Sequence, residues 1–436
     1  MRINYRSRTT LISSCLFVFL ILVVLIGLLF REMDVSNPQP PPSLSLQLDV
    51  DGFFQNYWQT PIPLQGTPPA GFTKEEASLS PQACGSCHPE QYRDWKESLH
   101  SKAMGAGPWG QIIDSTQSNP QEAILCLTCH APLSEQMPFL TGTATNGGAG
   151  YTKNPQFDSQ LQLRGIVCAS CHVRQHQRFG PPEPEGEAAR QYPNGMPNHG
   201  GVQRTPHFER AEFCRGCHQF DPQNSLLVNG KPLQDTYREW KNSIWGKGGA
   251  ACQECHMPNR RHLWKGIHDP EMVKGGVRVE AGVKEASETP AGTIEIEVKL
   301  TNAAVGHKFP TYLTPKVFVR AALHTKAGDV LPGTQQEATI GWDVRAEEGQ
   351  WKEYFDTRIP PGESSKYLFK WDRPVEAKTV RAWVEVHPDH FYHVHFYPVY
   401  LSSGALSPEG RRLIEKARQE SGRSSFILFD KRIPLN

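Results

Sequence analysis

One five-residue pattern, Cys-x-x-Cys-His, recurs five times between residues 84 and 256 and constrains this chain more than any other feature. The copies comprise Cys84, Cys87 and His88; Cys126, Cys129 and His130; Cys168, Cys171 and His172; Cys214, Cys217 and His218; and Cys252, Cys255 and His256. In each copy two thiols are spaced for thioether bonds to the two vinyl groups of one porphyrin. The adjacent imidazole is placed to bind the iron of that porphyrin as its proximal ligand. The pattern therefore predicts five covalently attached haems c, whose porphyrins replace much of a side-chain core.

Two other uses of paired cysteines compete with this interpretation. Such pairs also bind zinc, and ten cysteines in an exported protein could form five disulfides. Neither alternative explains why a histidine follows the second cysteine in every copy. Haem attachment uses ten of the eleven cysteines and leaves only Cys15.

Cys15 lies within a second strong feature, the apolar run of residues 11–30. Twenty helical residues, at about 1.5 Å each, match the hydrocarbon thickness of a bilayer. Arg2, Arg6 and Arg8 precede the run, so the positive-inside rule keeps the N-terminus in the cytoplasm and exports the rest. A cleaved signal peptide is the alternative, but the run is long and no A-x-A-like site follows it. We expect a single-pass anchor in the cytoplasmic membrane, with the remaining chain in the periplasm.

Composition and periodicity divide the chain into five predicted segments, which together make an α+β protein. They are a transmembrane anchor at 1–32, an extended linker at 33–80, a mainly helical or irregular pentahaem domain at 81–275, an antiparallel β-sandwich at 276–403, and a helical tail at 404–436. The sandwich is indicated by alternation of period two in residues 294–300 and 380–386, and by strand-like residues 316–323 and 366–371. A helix is expected at 408–419, on the surface of the sandwich.

Charge suggests the class of partner. The formal net charge is +1, but five haems would add about ten propionate carboxylates that this count omits. An acidic holoprotein disfavours a nucleic-acid partner and favours basic redox proteins.

Each haem iron has a second axial position, and its occupant decides whether the haem carries electrons or binds substrate. The candidate distal ligands are histidines within or just after the haem region: His100, His176, His199, His207, His262, His268 and His307. Methionine is an alternative ligand at positions 104, 137, 196 or 272. A further group, His387, His390, His393 and His395, is interpreted as a polar strand face and not as a ligand set.

Three segments, two of which contain a haem motif, resemble elements of a known group. Residues 84–104 read CGSCHPEQYRDWKESLHSKAM and resemble the first haem segment of the cytochrome c-554 and hydroxylamine oxidoreductase group. Residues 165–172, GIVCASCH, are similar to a second element of that group, and Asn302 with residues 306–311, GHKFPT, resembles an element of such cytochromes with a C-terminal β domain. The resemblance implies that His100 and His307 are distal ligands, and that His176 corresponds to a histidine following the second element.

The resemblance is incomplete. Cytochrome c-554 has four haem sites where this chain has five motifs, and nothing identifies the crosslinking tyrosine of hydroxylamine oxidoreductase. All five motifs end in histidine, which argues against the lysine-ligated catalytic haem of pentahaem nitrite reductase.

The first functional expectation, favoured over an enzyme, is an anchored electron carrier. It would connect a membrane donor, the quinol pool or a dehydrogenase, to a periplasmic or surface acceptor. The second is an oxidoreductase acting on a small nitrogen or sulfur compound at one haem without a distal ligand. The third is a β domain that binds a ligand, with haems that report its binding.

Overall fold

The structure is a computed structural model that describes residues 49–143, 149–183, 198–223, 225, 227–284, 292–347 and 350–435. The expected membrane anchor, the first part of the expected linker and Met196 lie outside these residues. No helix within them is long and apolar enough to cross a membrane.

The helices are short, and most lie before residue 277. They are α1 Val50–Tyr57, α2 Lys74–Ala77, α3 Pro81–Cys87, α4 Pro89–Glu97, α5 Ala106–Ile112, α6 Ser115–Ser118, α7 Pro120–His130, α8 Ser159–Gln162, α9 Cys168–His172, α10 Glu212–His218, α11 Thr236–Asn242, α12 Ile244–Lys247, α13 Cys252–His256, α14 Pro270–Gly276, α15 Tyr397–Ser402 and α16 Pro408–Gly422. A π-helical segment, Phe391–Phe396, directly precedes α15. 3₁₀ segments lie at His100–Lys102, Ser134–Gln136, Asn198–Gly200, Pro206–Glu209 and Pro258–Arg260.

Every Cys-x-x-Cys-His motif lies in one of these short helices or ends it. The reason is geometric, because residues three and four apart share one face of a helix. The two thiols and the imidazole of a motif therefore project toward the same side. Local capping fixes where two of these helices begin: Ser80 caps α3 and Asn119 caps α7, and each is followed by a proline at the first helical position.

The second part of the expected linker is not extended. It contains α1, where Phe53 and Tyr57 are fully buried, and α2. Phe53 stacks on His207 at 4.2 Å between ring centroids, so this segment packs into the haem region. The prediction of a spacer at 33–80 is therefore wrong from residue 49 onward, because aromatic residues spaced by four create an apolar helix face.

Strands dominate after residue 276. They are β1 Phe139–Thr143, β2 Ala149–Lys153, β3 Val173–Arg174, β4 Gln177–Gly180, β5 Gln203–Arg204, β6 Leu227–Val228, β7 Lys231–Pro232, β8 Val277–Val283, β9 Thr293–Asn302, β10 Lys316–His324, β11 Gln336–Glu347, β12 Gln350–Asp356, β13 Ser364–Asp372, β14 Thr379–His387 and β15 Phe426–Pro434.

The strands from β8 onward form two antiparallel sheets. One has the order β12-β11-β10-β14-β15 and the other β13-β9-β8. Side chains from both sheets form one hydrophobic cluster, to which Ile296 of β9, Val319 of β10 and Val384 of β14 contribute fully buried side chains. The α+β class with antiparallel C-terminal sheets is thus confirmed, and the alternation that predicted β9 and β14 reflects one buried face.

The C-terminal segment differs from the expected helical tail. Helix α16 is present, but residues 426–434 form β15, which pairs with β14 at the edge of the larger sheet. Moreover, α16 packs on α5 of the haem region, where Ile414 closely approaches Gly110. His393 and His395 also lie in the π-helical segment and not on a strand, because β14 ends at His387.

Candidate haem sites

One large cavity of about 3980 Å³ connects all five motifs. Every motif cysteine and every motif histidine lines it, namely Cys84, Cys87, His88, Cys126, Cys129, His130, Cys168, Cys171, His172, Cys214, Cys217, His218, Cys252, Cys255 and His256. The candidate haem-attachment groups of all five motifs therefore face one shared space.

Contacts between cysteines of different motifs give the spatial order of the motifs. The thiols of Cys84 and Cys168 are close enough that each shifts the pKa of the other, which places the first motif beside the third. Cys129 interacts in the same way with Cys217, which places the second motif beside the fourth. Cys214 interacts with Cys252, which places the fourth motif beside the fifth. Cys171 interacts electrostatically with Cys214, which connects the third motif to the fourth. The first, second and fifth motifs are the ends of a branched chain centred on the third and fourth.

Three motif histidines face a second histidine across the cavity. The ring centroids are 6.3 Å apart for His100 and His218, 6.2 Å apart for His172 and His262, and 6.4 Å apart for His256 and His307. Two metal–nitrogen bonds of about 2 Å, plus about 1 Å from each nitrogen to its ring centre, separate axial imidazoles by about 6 Å. These pairs therefore have the spacing of two histidines on one haem iron.

Backbone carbonyls fix the orientation of several of these rings. The Nδ1 atoms of the motif residues His130, His172 and His256 hydrogen bond to carbonyls at 2.6–2.8 Å. The facing residues His262 and His307 do the same at 3.0 and 2.9 Å. An Nδ1 that donates to a carbonyl leaves Nε2 as the free ligand atom, which is the usual arrangement of metal-binding histidines.

Burial keeps four of the paired imidazoles neutral. Desolvation lowers the pKa of His100 to about 3, and it lowers those of His172, His218 and His307 to about 4. Neighbouring histidines contribute to each decrease, because two nearby positive rings would repel each other. At neutral pH these rings carry no proton on the ligand nitrogen, as iron binding requires. The donor set thus fits haem iron.

The position of His100 depends on contacts with the segment that leads into the third motif. The Trp95 indole donates to the carbonyl of Ile166 at 2.7 Å, and Ser98 closes the intervening turn. The backbone N–H of Ile166 donates to the carbonyl of His100 at 3.0 Å. Gly165 has a φ of +68°, and a Cβ atom there would lie 2.6 Å from that carbonyl oxygen. The two sequence elements that carried the resemblance, residues 84–104 and 165–172, are therefore held together by hydrogen bonds.

The C-terminal sheets supply His307. Asn302, fully buried at the end of β9, donates to the carbonyls of His307 and Ile359 at 2.9 and 3.0 Å. The next residue, Lys308, donates from its backbone to Glu239 of α11 at 3.2 Å. The loop that carries His307 is thus held between β9 and the haem region.

An ion pair positions His262. Arg261 makes two contacts of 2.6 Å with Asp94 of α4, and the backbone N–H of His262 also donates to Asp94. The guanidinium of Arg261 lowers the pKa of this carboxyl. Helix α4 therefore fixes the chain next to the ring that faces His172.

The remaining four candidate distal ligands divide into two groups. His199 and His268 line the cavity, but the Nε2 of His268 is 3.0 Å from both carboxylate oxygens of Asp389. His176 and His207 are not among the described residues that line it. His176 points its Nε2 at the carbonyl of Gly66, and His207 stacks on Phe53. The structure therefore does not support His176 or His207 as ligands.

His199 lies at the end of the cavity that contains the first motif. Its backbone N–H donates to the Glu76 carboxylate at 2.6 Å, and the carbonyl of Glu76 accepts from Arg178. Arg178 in turn interacts electrostatically with Cys84. The Nδ1 of His199 contacts the carbonyl of Gly201 at 3.2 Å, which leaves its Nε2 available.

The second motif has different surroundings. His172, His218 and His256 each have a second imidazole opposite them. Among the described residues, His130 has none. Instead, Tyr392 interacts electrostatically with Cys126, Tyr312 and Asp389, and burial raises its pKa to about 12. Met104 and Met137 pack near Cys126 but do not line the cavity.

Several residues at these sites were not predicted from the sequence. Trp264 lies 4.5 Å from His100 and 5.2 Å from His262 between ring centroids, and its position two residues after His262 was a usable signal. Tyr392 approaches Cys126 of the second motif from a distant part of the chain, with Tyr312 and Asp389 beside it. No local pattern marks them, because only tertiary packing brings them there.

Comparison with known proteins is consistent with this geometry. Residues 83–173, which include the first three motifs, match the family described as cytochrome c554 and c-prime. The chain is 25% identical to the cytochrome c nitrite reductase subunit NrfA of Nitratidesulfovibrio vulgaris over 226 residues, 44% of this chain. It is also 25% identical to cytochrome c-552 of Aliarcobacter butzleri over 190 residues, 43% of this chain. These matches cover only 39% and 36% of the two relatives' lengths.

A solved structure extends the similarity over most of the fold. The penta-heme cytochrome c552 from Thermochromatium tepidum superposes with a TM-score of 0.55, covering 82% of this chain and 99% of that chain. The sequence identity is 19%, so the likeness concerns the fold.

Proposed function

We propose that this chain, a multihaem c-type cytochrome that uses haem c, binds five haems and carries electrons along them. The observation that supports this most directly is the spacing of 6.2–6.4 Å in three pairs of facing histidines. An iron with imidazole on both faces has no open position for substrate and is suited to electron transfer. His199 would be the second axial ligand of the iron that His88 binds.

The arrangement of the motifs supports a conduit. Cysteines of the first and third motifs are in contact, and so are those of the fourth and fifth. Haems attached to such cysteines would be close neighbours, so electrons could pass from one end of the cavity to the other. Cys87 and Cys255, in the first and fifth motifs, are exposed, which makes these two ends the proposed points of entry and exit.

The proposed location is the periplasmic side of the cytoplasmic membrane. The apolar run of residues 11–30 and the preceding arginines support an anchor, and haem attachment in bacteria occurs outside that membrane. The proposed donor is the quinol pool or a membrane dehydrogenase, and the acceptor is a basic periplasmic or surface redox protein.

The anchor gives a direct expectation for cell fractionation. The full chain should remain in the membrane fraction after an alkaline carbonate wash, because about twenty apolar residues hold it in the bilayer. A variant whose residues 1–32 are replaced by a cleavable signal peptide should instead be recovered in the periplasm, with its haems attached. Release of the full chain by the wash would contradict the anchor.

Electron transfer is tested by voltammetry of the haem-loaded protein on an electrode. The expected result is a reversible exchange of five electrons per chain without any added substrate, since each haem contributes one. A film of the correctly loaded protein that exchanges fewer than three electrons would contradict a continuous path between the motifs.

One observation favours a second candidate function, reduction or oxidation of a small nitrogen or sulfur compound at the second motif. His130 is not faced by an imidazole in the described residues, and the His268–Asp389 pair and Tyr392 line the same cavity. An open axial position would bind the compound, and these side chains would donate or accept its protons.

Nitrite and hydroxylamine separate the two functions. The second function predicts that either compound increases the current in voltammetry, and that replacing Cys126 and Cys129 by serine abolishes the increase. The five-electron exchange would then fall to four, because the second motif is an end of the branched chain. An unchanged current in the presence of both compounds would leave electron transfer as the function.

A further inference from the structure

Arg174 is a buried arginine without a counter-charge. It lies in β3, directly after the third motif, and is only 5% exposed. Its guanidinium donates to backbone carbonyls alone: Nε to Tyr57 at 2.9 Å, and Nη1 to Ser170 at 3.0 Å and to Val173. Among the described residues no carboxylate pairs with it, and its Nη2 is buried without a hydrogen-bond partner. A full positive charge is therefore enclosed by neutral groups.

The neighbouring aromatic side chains do not neutralise this charge. The guanidinium lies 4.0 Å from the ring centroid of Tyr57 and 5.2 Å from that of Trp58. The Tyr57 hydroxyl donates to the carbonyl of Cys171 at 2.7 Å, and burial raises its pKa, so the phenol stays protonated. Arginine itself keeps its proton in proteins. The rings favour the cation by their π faces but add no negative charge.

The charge is close to the groups of the third motif. Arg174 follows His172 by two residues, and its guanidinium bonds to the carbonyl of Ser170, inside the motif. It also interacts electrostatically with Cys171. Unlike Arg178, it is not among the described residues that line the cavity. The guanidinium therefore lies behind the cavity lining, and no described carboxylate compensates its charge.

We propose that Arg174 is a fixed internal charge that raises the reduction potential of the haem held by Cys168, Cys171 and His172. Ferric haem carries one more positive charge than ferrous haem, so a nearby cation disfavours the ferric state. The effect is large because the surroundings are poorly polarisable and exclude the salt that screens surface charges. Arg174 is thus a positioning and tuning residue that acts through the motif.

A raised reduction potential at the third motif would determine which haem holds an electron. The third motif lies between the first and fourth motifs in the cavity, so its haem would hold an electron that enters at the first. This use of the charge rests on the proposed electron-transfer function. The potential itself does not, because it is an equilibrium property that is measured without donor or acceptor.

The test is a redox titration of the haem-loaded protein followed by EPR. The signal of the third haem is identified as the one that His262→Ala removes. Arg174→Met should lower the reduced-to-oxidised ratio of this haem at least tenfold at a fixed electrode potential, which is 59 mV for one electron. Arg174→Lys should keep most of the wild-type ratio, because it keeps the charge. Haem content per chain, measured in parallel, reports whether each variant is fully loaded.

A second pair of variants decides the question if Arg174→Met does not bind its haems. Ser170 is fully buried, its Oγ has no partner among the described residues, and its carbonyl bonds to Arg174. Ser170→Asp should place a carboxylate beside the guanidinium and lower the same ratio, whereas Ser170→Asn, of equal size, should not. Equal ratios in Ser170→Asp and Ser170→Asn, or an equal decrease in Arg174→Met and Arg174→Lys, would overturn the proposal.

Discussion

In the haem-loaded His262→Ala variant, one iron in five should change from low spin to high spin. The His172 and His262 rings are 6.2 Å apart, the spacing of two axial ligands on one iron, so truncation removes one of them. The altered iron should then bind cyanide or carbon monoxide, which the wild-type iron of the third motif excludes. EPR with spin quantitation, before and after cyanide, measures both effects.

His176→Ala is the matched control for this variant. His176 follows the third motif by only four residues and resembles a ligand by its sequence position. Its Nε2, however, contacts the carbonyl of Gly66 at 3.1 Å, and the ring does not line the cavity. We expect unchanged spin states in this variant. A high-spin iron in His176→Ala, together with none in His262→Ala, would show that the ligand assignment is wrong.

Gly165→Ala should weaken both the fold and one axial bond. A side chain at a φ of +68° costs about 1–3 kcal/mol, and the new Cβ would also lie 2.6 Å from the carbonyl oxygen of His100. The backbone of His100 must shift to relieve this contact. We expect a lower free energy of unfolding and partial conversion of the His218 iron to high spin, measured by thermal denaturation and EPR.

Gly282→Ala is the control for the general effect of replacing glycine. Gly282 lies in β8 and does not line the cavity, its φ is not in the left-handed region, and nothing lies within 4 Å of an added Cβ. This variant should retain the stability and spin states of the wild-type protein. If Gly165→Ala behaved in the same way, the contact between Gly165 and His100 would not be what positions this ligand.

The sequence predicts the C-terminal strands well because their cause is local. The alternation of residues 294–300 buries every second side chain, and the structure pairs them in β9. The extended linker was predicted from its prolines and from weak periodicity. That reasoning overlooked Phe53, Phe54 and Tyr57, whose spacing buries one helix face. Strand β15 was missed because its burial depends on pairing with β14, which is distant in the chain.

The residues of the candidate site likewise fall into those that local sequence predicts and those that it does not. The motif residues are recognisable because attachment chemistry fixes their spacing along the chain. The residue that faces each motif histidine is set by tertiary packing, and sequence position does not select it. His176 is near the third motif in sequence, yet His262 faces His172 in space. His307 was a candidate by its position just after the haem region and by the resemblance of its loop to a known element, and the structure shows that Asn302 holds this loop against β9.

EPR of the oxidised, haem-loaded wild-type protein, quantified against total haem iron, tests the central claim most directly. The three facing pairs and the His88–His199 assignment predict low-spin signals from four irons, with a high-spin signal from the iron of His130. Added nitrite or hydroxylamine should affect only the high-spin signal. Fewer than three low-spin irons in a protein with five attached haems would contradict the pairing of histidines on which the account rests.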